Sequence, residues 1–105
     1  MKHITSEDLA DRRESQDSDV IGVFDEEAMV IEQSWYQSEE AEEVSARTHT
    51  QDEFYCILSG SGTMRVREEI NEVKEGDMIY VDAGAEHDFF DIDGELRTLK
   101  VFASP

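Results

Sequence analysis

From Val20 to Phe102 the chain is cut into short apolar runs by turn-forming residues, and this rhythm limits what it can fold into. The runs Val20–Phe24, Met29–Tyr36, Phe54–Leu58, Met64–Arg67, Met78–Val81, Phe89–Ile92 and Leu96–Phe102 are rich in β-branched and aromatic residues. Such residues fit the half-buried, pleated surface of a strand. Val44–Thr50 also reads as extended, and Val73 leads into a turn at Gly76-Asp77. No run after Val20 keeps the 3.6-residue period of a helix. Ser59-Gly60-Ser61-Gly62 predicts a turn, and Asp93-Gly94 a tight hairpin. Eight or nine short strands at close spacing predict an all-β domain. The pattern leaves an immunoglobulin-like sandwich, an OB-fold and a jelly roll open.

Residues 1–19 stand apart as a polar N-terminal arm, with 20–105 as the folded body. Within the arm, Thr5 or Ser6 can cap a short helix carrying Glu7 and Asp8 in its first turn, where negative charge suits the helix dipole. Leu9 is almost its only apolar anchor. The chain carries 27 acids against nine basic residues, a formal charge of −18. That charge repels phosphates and anionic headgroups, so neither nucleic acid nor a membrane is expected as a partner. An acidic coat poor in lysine (Lys2, Lys74 and Lys100) is similar to that of proteins from salt-loving organisms, where cations screen the self-repulsion. Cys56 is the single cysteine, which excludes an intrachain disulfide and a cysteine-based metal cluster and points to the reducing cytoplasm. No apolar stretch is long enough to span a bilayer as a helix.

Three residues far apart in sequence can form a metal site. His49 ends an extended segment, Glu53 opens the next strand, and His87 follows the glycine-containing loop Ala83-Gly84-Ala85. Two imidazoles and a carboxylate are a suitable set for a divalent first-row metal (Fe, Mn, Zn or Ni) and leave coordination positions open. Taken singly, each has a plainer reading. A histidine near a strand end is more often a hydrogen-bonded structural residue, and a glutamate is more often on the surface.

The joint spacing changes that balance. Residues 41–60 resemble the first cupin motif, G-x5-H-x-H-x3,4-E-x6-G, with His49, Glu53 and Gly60 on its second histidine, its glutamate and its closing glycine. Residues 76–91 resemble the second, G-x5-P-x-G-x2-H-x3-N, through Gly76, Gly84 and His87. The resemblance implies a double-stranded β-helix, the cupin or jelly-roll barrel. It also implies a metal held by three histidines and one glutamate, and pairing into a homodimer through barrel faces or an exchanged strand such as Val20–Phe24. Four positions depart from the pattern: Ala41 for glycine, Arg47 for the first histidine, Asp82 for proline and Asp91 for asparagine.

Arg47 cannot ligate a metal, because its guanidinium stays protonated. Two outcomes follow. Either His49, Glu53 and His87 hold the metal and Arg47 orients an anionic substrate, or Arg47 pairs with Glu53 and leaves a metal-free cavity. The first outcome predicts a metal-dependent enzyme, a dioxygenase or an isomerase, acting on a small metabolite. Oxidation is favoured, with Arg47 and Glu53 as the catalytic pair. The second predicts a non-catalytic module that binds a sugar or an organic acid. Asp91 is a candidate hydrogen-bond partner for His87, and Cys56 reads as core packing. Of the neighbours Trp35 and Tyr36, only one can face the barrel interior.

Overall fold

A computed structural model of the chain describes residues 1–37 and 50–103. The described residues form one helix, α1 (Ser6–Gln16), and six strands: β1 (Val20–Asp25), β2 (Met29–Gln37), β3 (Glu53–Val66), β4 (Glu69–Lys74), β5 (Met78–Val81) and β6 (His87–Ala103). Every strand pairing is antiparallel. The order across the sheet is β1-β2-β6-β3-β4, with β5 also paired to β3. β6 lies along one side of β3. The other side of β3 is shared, β5 taking Glu53–Cys56 and β4 taking Ser61–Val66.

Two expected turns are absent. Ser59-Gly60-Ser61-Gly62 lies inside β3, and Asp93-Gly94 lies inside β6. Four expected strands are therefore two long ones that bend. Between Ile57 and Thr63 of β3 the pairing with β6 shifts three times, first with an extra residue on β3 and then twice with extra residues on β6, and these bulges curve the ladder. Gly60 makes the bend feasible. It has φ +89, and an added Cβ would lie 2.2 Å from the Glu95 carbonyl oxygen. The signals at both sites mark left-handed backbone and close approach correctly, but a long strand uses them to bend where a short one uses them to reverse. The expected strand Val44–Thr50 lies outside the described residues except for Thr50, which sits in a bend.

Burial follows the two-residue period of a strand. Along β3, Glu53, Tyr55 and Ile57 are buried, while Phe54, Cys56 and Leu58 are half-buried on the other face. In β6 the inward phase changes from His87 and Phe89 to Ile92, and then runs through Leu96, Thr98 and Lys100. Asp91, with φ +49, stands where the phase switches. The interior core gathers Tyr55, Ile57, Met64, Val73, Phe89 and Leu96, among others. Cys56, expected in that core, lies on the opposite face of β3.

The outer face of the sheet has a partial cover in α1. Thr5 caps the helix, its side chain accepting from the Asp8 backbone N–H while the Asp8 carboxylate accepts from that of Thr5. Arg13 lies 4.2 Å above the Trp35 ring and pairs with Asp19 and Glu95, each at 3.1 Å. Trp35 is thus buried under the helix, while Tyr36 turns inward with its ring 4.9 Å from that of Phe89. The two neighbours do face opposite sides, and each side has its own cover.

Candidate functional site

The first inward residues of the two long strands meet inside the barrel. In the β3–β6 ladder Glu53 pairs with Phe102, whereas His87 pairs with Val66 at the other end. In a flat sheet, the 13 residues from Glu53 to Val66 would hold these positions about 43 Å apart. Instead His87 Nε2 lies 3.6 Å from Glu53 Oε1, with both side chains almost wholly buried. The fold-back has a local cause. Glu53 also pairs with Val81 on β5, and the short loop after Val81, turning at Ala83-Gly84, delivers His87 to the same place.

The imidazole is held in one orientation. The carbonyl oxygen of Ala85 lies 2.9 Å from His87 Nδ1 and can only accept, so Nδ1 carries the proton. Nε2 is thereby turned toward Glu53 and the Tyr55 hydroxyl, which is 3.1 Å away, and in the neutral form of the ring it carries the lone pair. Tyr55 also reaches Glu53 Oε2 at 3.3 Å, so its proton can serve either acceptor. Its ring packs edge-on against Phe89 at 5.4 Å, which fixes the hydroxyl's position.

Lys100 completes the group. Its ammonium lies 3.1 Å from Glu32 Oε1 and 3.9 Å from Glu53 Oε2, and the residue is buried. β2, β6 and β3 place Glu32, Lys100 and Tyr55 in one cross-strand row facing inward. Burial of a lysine is costly without a counter-charge, and here two carboxylates supply it.

Of the residues selected from sequence, the structure brings Glu53 and His87 together. His49 and Arg47 lie outside the described residues. Among the described residues, no group of three or more His, Cys, Asp or Glu side chains forms a metal-binding set. The expected partner of His87 is corrected: Asp91 is exposed on the opposite phase of β6, and Ala85 takes that role. Tyr55, Lys100 and Glu32 were missed. Tyr55 had a signal, since it stands two residues after Glu53 and must share its face. Lys100 also had one, as a cation within the apolar run Leu99-Lys100-Val101-Phe102.

Residues 35–102 match the cupin domain family, a span that contains both proposed motifs and all of β3 to β5. The chain belongs to the cupin family. A Thermus thermophilus protein of known structure is similar over 97% of each chain, with a TM-score of 0.78 and 24% identity. A cupin 2 conserved barrel domain protein from Rhodopseudomonas palustris aligns at a TM-score of 0.70 and 19% identity, over 82% of this chain and 60% of that one. A putative mannose-6-phosphate isomerase from Ralstonia eutropha aligns at 0.67 and 18% identity, over 83% and 86%. At such identities the likeness is one of fold. An uncharacterised Streptomyces coelicolor protein is 41% identical over 61 residues, and this cupin spans 58% of the length of that curated relative. No helix among the described residues is long and apolar enough to cross a membrane.

Cupins often carry a metal, and the described part of the site fits one. An imidazole nitrogen on the ring edge away from the Ala85 carbonyl and a carboxylate oxygen 3.6 Å away can share an ion that binds each at about 2.0–2.2 Å. The Nδ1–H bond to a backbone carbonyl is the outer support that metal-ligating histidines commonly have.

Proposed function

We propose that this cupin is a metal-dependent enzyme for a small metabolite, with Glu53 and His87, joined by His49, as ligands of a divalent first-row ion. The observation that supports this reading is the fixed tautomer of His87, whose Nε2 faces a buried carboxylate. The ion would act as a Lewis acid toward a small oxygenated substrate, and open coordination positions suit an oxidation. The chain's own residues have separate tasks. Ala85 holds the imidazole, Tyr55 offers a proton at its hydroxyl, and Arg47 supplies a fork for an anionic group of the substrate. The cytoplasm is the compartment this reading assigns, since the site requires no disulfide.

Lys100 favours a second reading. An ammonium 3.9 Å from Glu53 already offsets part of the carboxylate charge that a divalent ion would need. With Arg47 adding a further cation, the same interior serves as a metal-free binding cavity for a small ligand. Elemental analysis of protein purified without added metal separates the two readings. The enzyme reading expects close to one first-row ion per chain, lost in folded His87→Ala and His49→Ala variants. Absence of metal, together with no uptake on titration with Mn2+, Fe2+ or Zn2+, would pass the case to the binding module. An Arg47→His variant that binds metal more tightly than the native chain would show that the arginine weakens an otherwise competent site.

A further inference from the structure

Between α1 and the outer face of the sheet lies a cavity of about 610 Å3, on the opposite side of β2 and β6 from the barrel interior. Gln33 and Trp35 of β2 and Arg97 of β6 line it from the sheet, and Leu9, Ala10 and Arg13 line it from the helix. Strand alternation keeps the two spaces apart. Glu32, Ser34 and Tyr36 face inward, as do Leu96 and Thr98, so Gln33, Trp35 and Arg97 face away. The gap itself follows from the helix sequence. Leu9, Ala10 and Arg13 recur at three- and four-residue spacing and share one face, but Ala10 presents only a methyl group and no residue of α1 is buried. Polar contacts hold the helix instead: Arg12 donates to the carbonyl oxygens of Gly22 and Val23, and Arg13 pairs with Asp19 and Glu95.

Two polar groups on the sheet side are left without partners among the described residues. Gln33 is only 5% exposed, yet its side-chain amide makes no hydrogen bond there. Arg97 has no carboxylate within ion-pairing distance, and its Nε is buried with no acceptor. Buried polar groups are almost always satisfied, and this chain has 27 acids for nine basic residues, so an unpaired guanidinium beside a buried amide calls for an anion from outside. We propose that the cavity is a second binding site, which takes a small monocarboxylate with an apolar body. The carboxylate pairs with the Arg97 guanidinium, whose planar fork matches two oxygens, and accepts from the Gln33 amide. The apolar body lies against Leu9, Ala10 and Trp35. Glu14 and Asp17 are exposed on the rim and oppose a second negative charge, which disfavours phosphorylated compounds.

Trp35 is the only tryptophan of the chain, so its fluorescence reports on this cavity directly. Titration of the whole protein with 3-phenylpropionate should change the Trp35 emission along a saturable curve, with a matching heat in calorimetry. The uncharged 3-phenylpropanamide and the dianionic phenethyl phosphate should each bind about 10-fold more weakly or worse. Arg97→Gln should weaken 3-phenylpropionate by about 10-fold or more, and Gln33→Leu by about 5-fold. If either of these folds poorly, Ala10→Phe fills the cavity from an exposed helix position and should abolish binding with the core untouched. His87→Ala, on the other side of the sheet, should bind 3-phenylpropionate as the native chain does. The absence of both a fluorescence change and a heat would overturn the proposal. So would the amide or the phosphate binding as tightly as the carboxylate, or binding that survives Arg97→Gln and Ala10→Phe. Binding lost in His87→Ala would also overturn it, by moving the carboxylate into the barrel interior.

Discussion

The middles and the ends of the two long strands face the same interior but are built from different chemistry. In the middle, Ile57 and Met64 of β3 pack with Ile92 and Leu96 of β6, and no charged side chain belongs to that cluster. At the ends, His87 and Lys100 of β6 both approach Glu53 of β3, at 3.6 and 3.9 Å. The middle is the source of stability, because buried apolar area is the main favourable term in folding. The ends place a carboxylate, a lysine and a histidine out of water beside the half-buried Glu32, where replacement by apolar residues is often neutral or stabilising. A chain that keeps such a group inside its barrel keeps it for chemistry or recognition, and the apolar middle holds it in place.

Substitutions can test this contrast, beginning with the largest expected effect. Leu96 is 0% exposed, so Leu96→Ala should cost about 2–5 kcal/mol in urea unfolding. The contrast also requires that the folded variant bind metal or ligand as the native chain does; a large loss of binding would mean that middle and ends are not separable. Gly60→Ala should cost about 2 kcal/mol or more, because the backbone is left-handed there and the new methyl group meets the Glu95 carbonyl. Since Gly60 permits the bend that brings Glu53 and His87 together, this variant should lose stability and site affinity in parallel.

Lys100→Met should have a smaller effect, about 1–3 kcal/mol, because it leaves Glu32 and Glu53 without their shared cation while Glu32 keeps some contact with water. Under the enzyme reading a divalent ion should raise the melting temperature of this variant more than that of the native chain. An equal or smaller rise would remove Lys100 as a competitor for the site.

The smallest expected effect lies outside the barrel. The Tyr80 hydroxyl and then the Ala83 backbone N–H donate to Asp52 and hold its carboxyl below the usual range, and the same bond to Asp52 raises the Tyr80 phenol. The Asp52 contribution is therefore present above the ordinary carboxylate pKa of about 3.9 and is lost as pH falls through the lowered value. The Tyr80 contribution is present below about pH 10 and is lost as pH rises through the raised one. NMR titration of both groups should show the two shifts, and Asp52→Asn should move Tyr80 down toward its ordinary value, leaving the smaller upward effect of burial and Asp82. An unshifted Tyr80 in the native chain would remove this link between β5 and the residues before β3.

Local chemistry was enough to read much of this protein. The β-rich rhythm after Val20, the cap at Thr5 and the two cupin motifs are all short-range signals, because strand period, capping and turn chemistry depend on neighbours in the chain. The meeting of Glu53 with His87 was legible only through the motifs they occupy. The sequence could not show that Gly60 and Asp93-Gly94 bend strands where turn chemistry predicts their ends, since a left-handed residue serves a turn and a bulge equally well and the partner strand decides which. Nor could it show that Lys100 shares the interior with Glu53, or that Ala85 rather than Asp91 orients His87. Those contacts join residues from different strands or across a loop, and only the folding of the bent sheet back over itself brings them within hydrogen-bonding or ion-pairing distance.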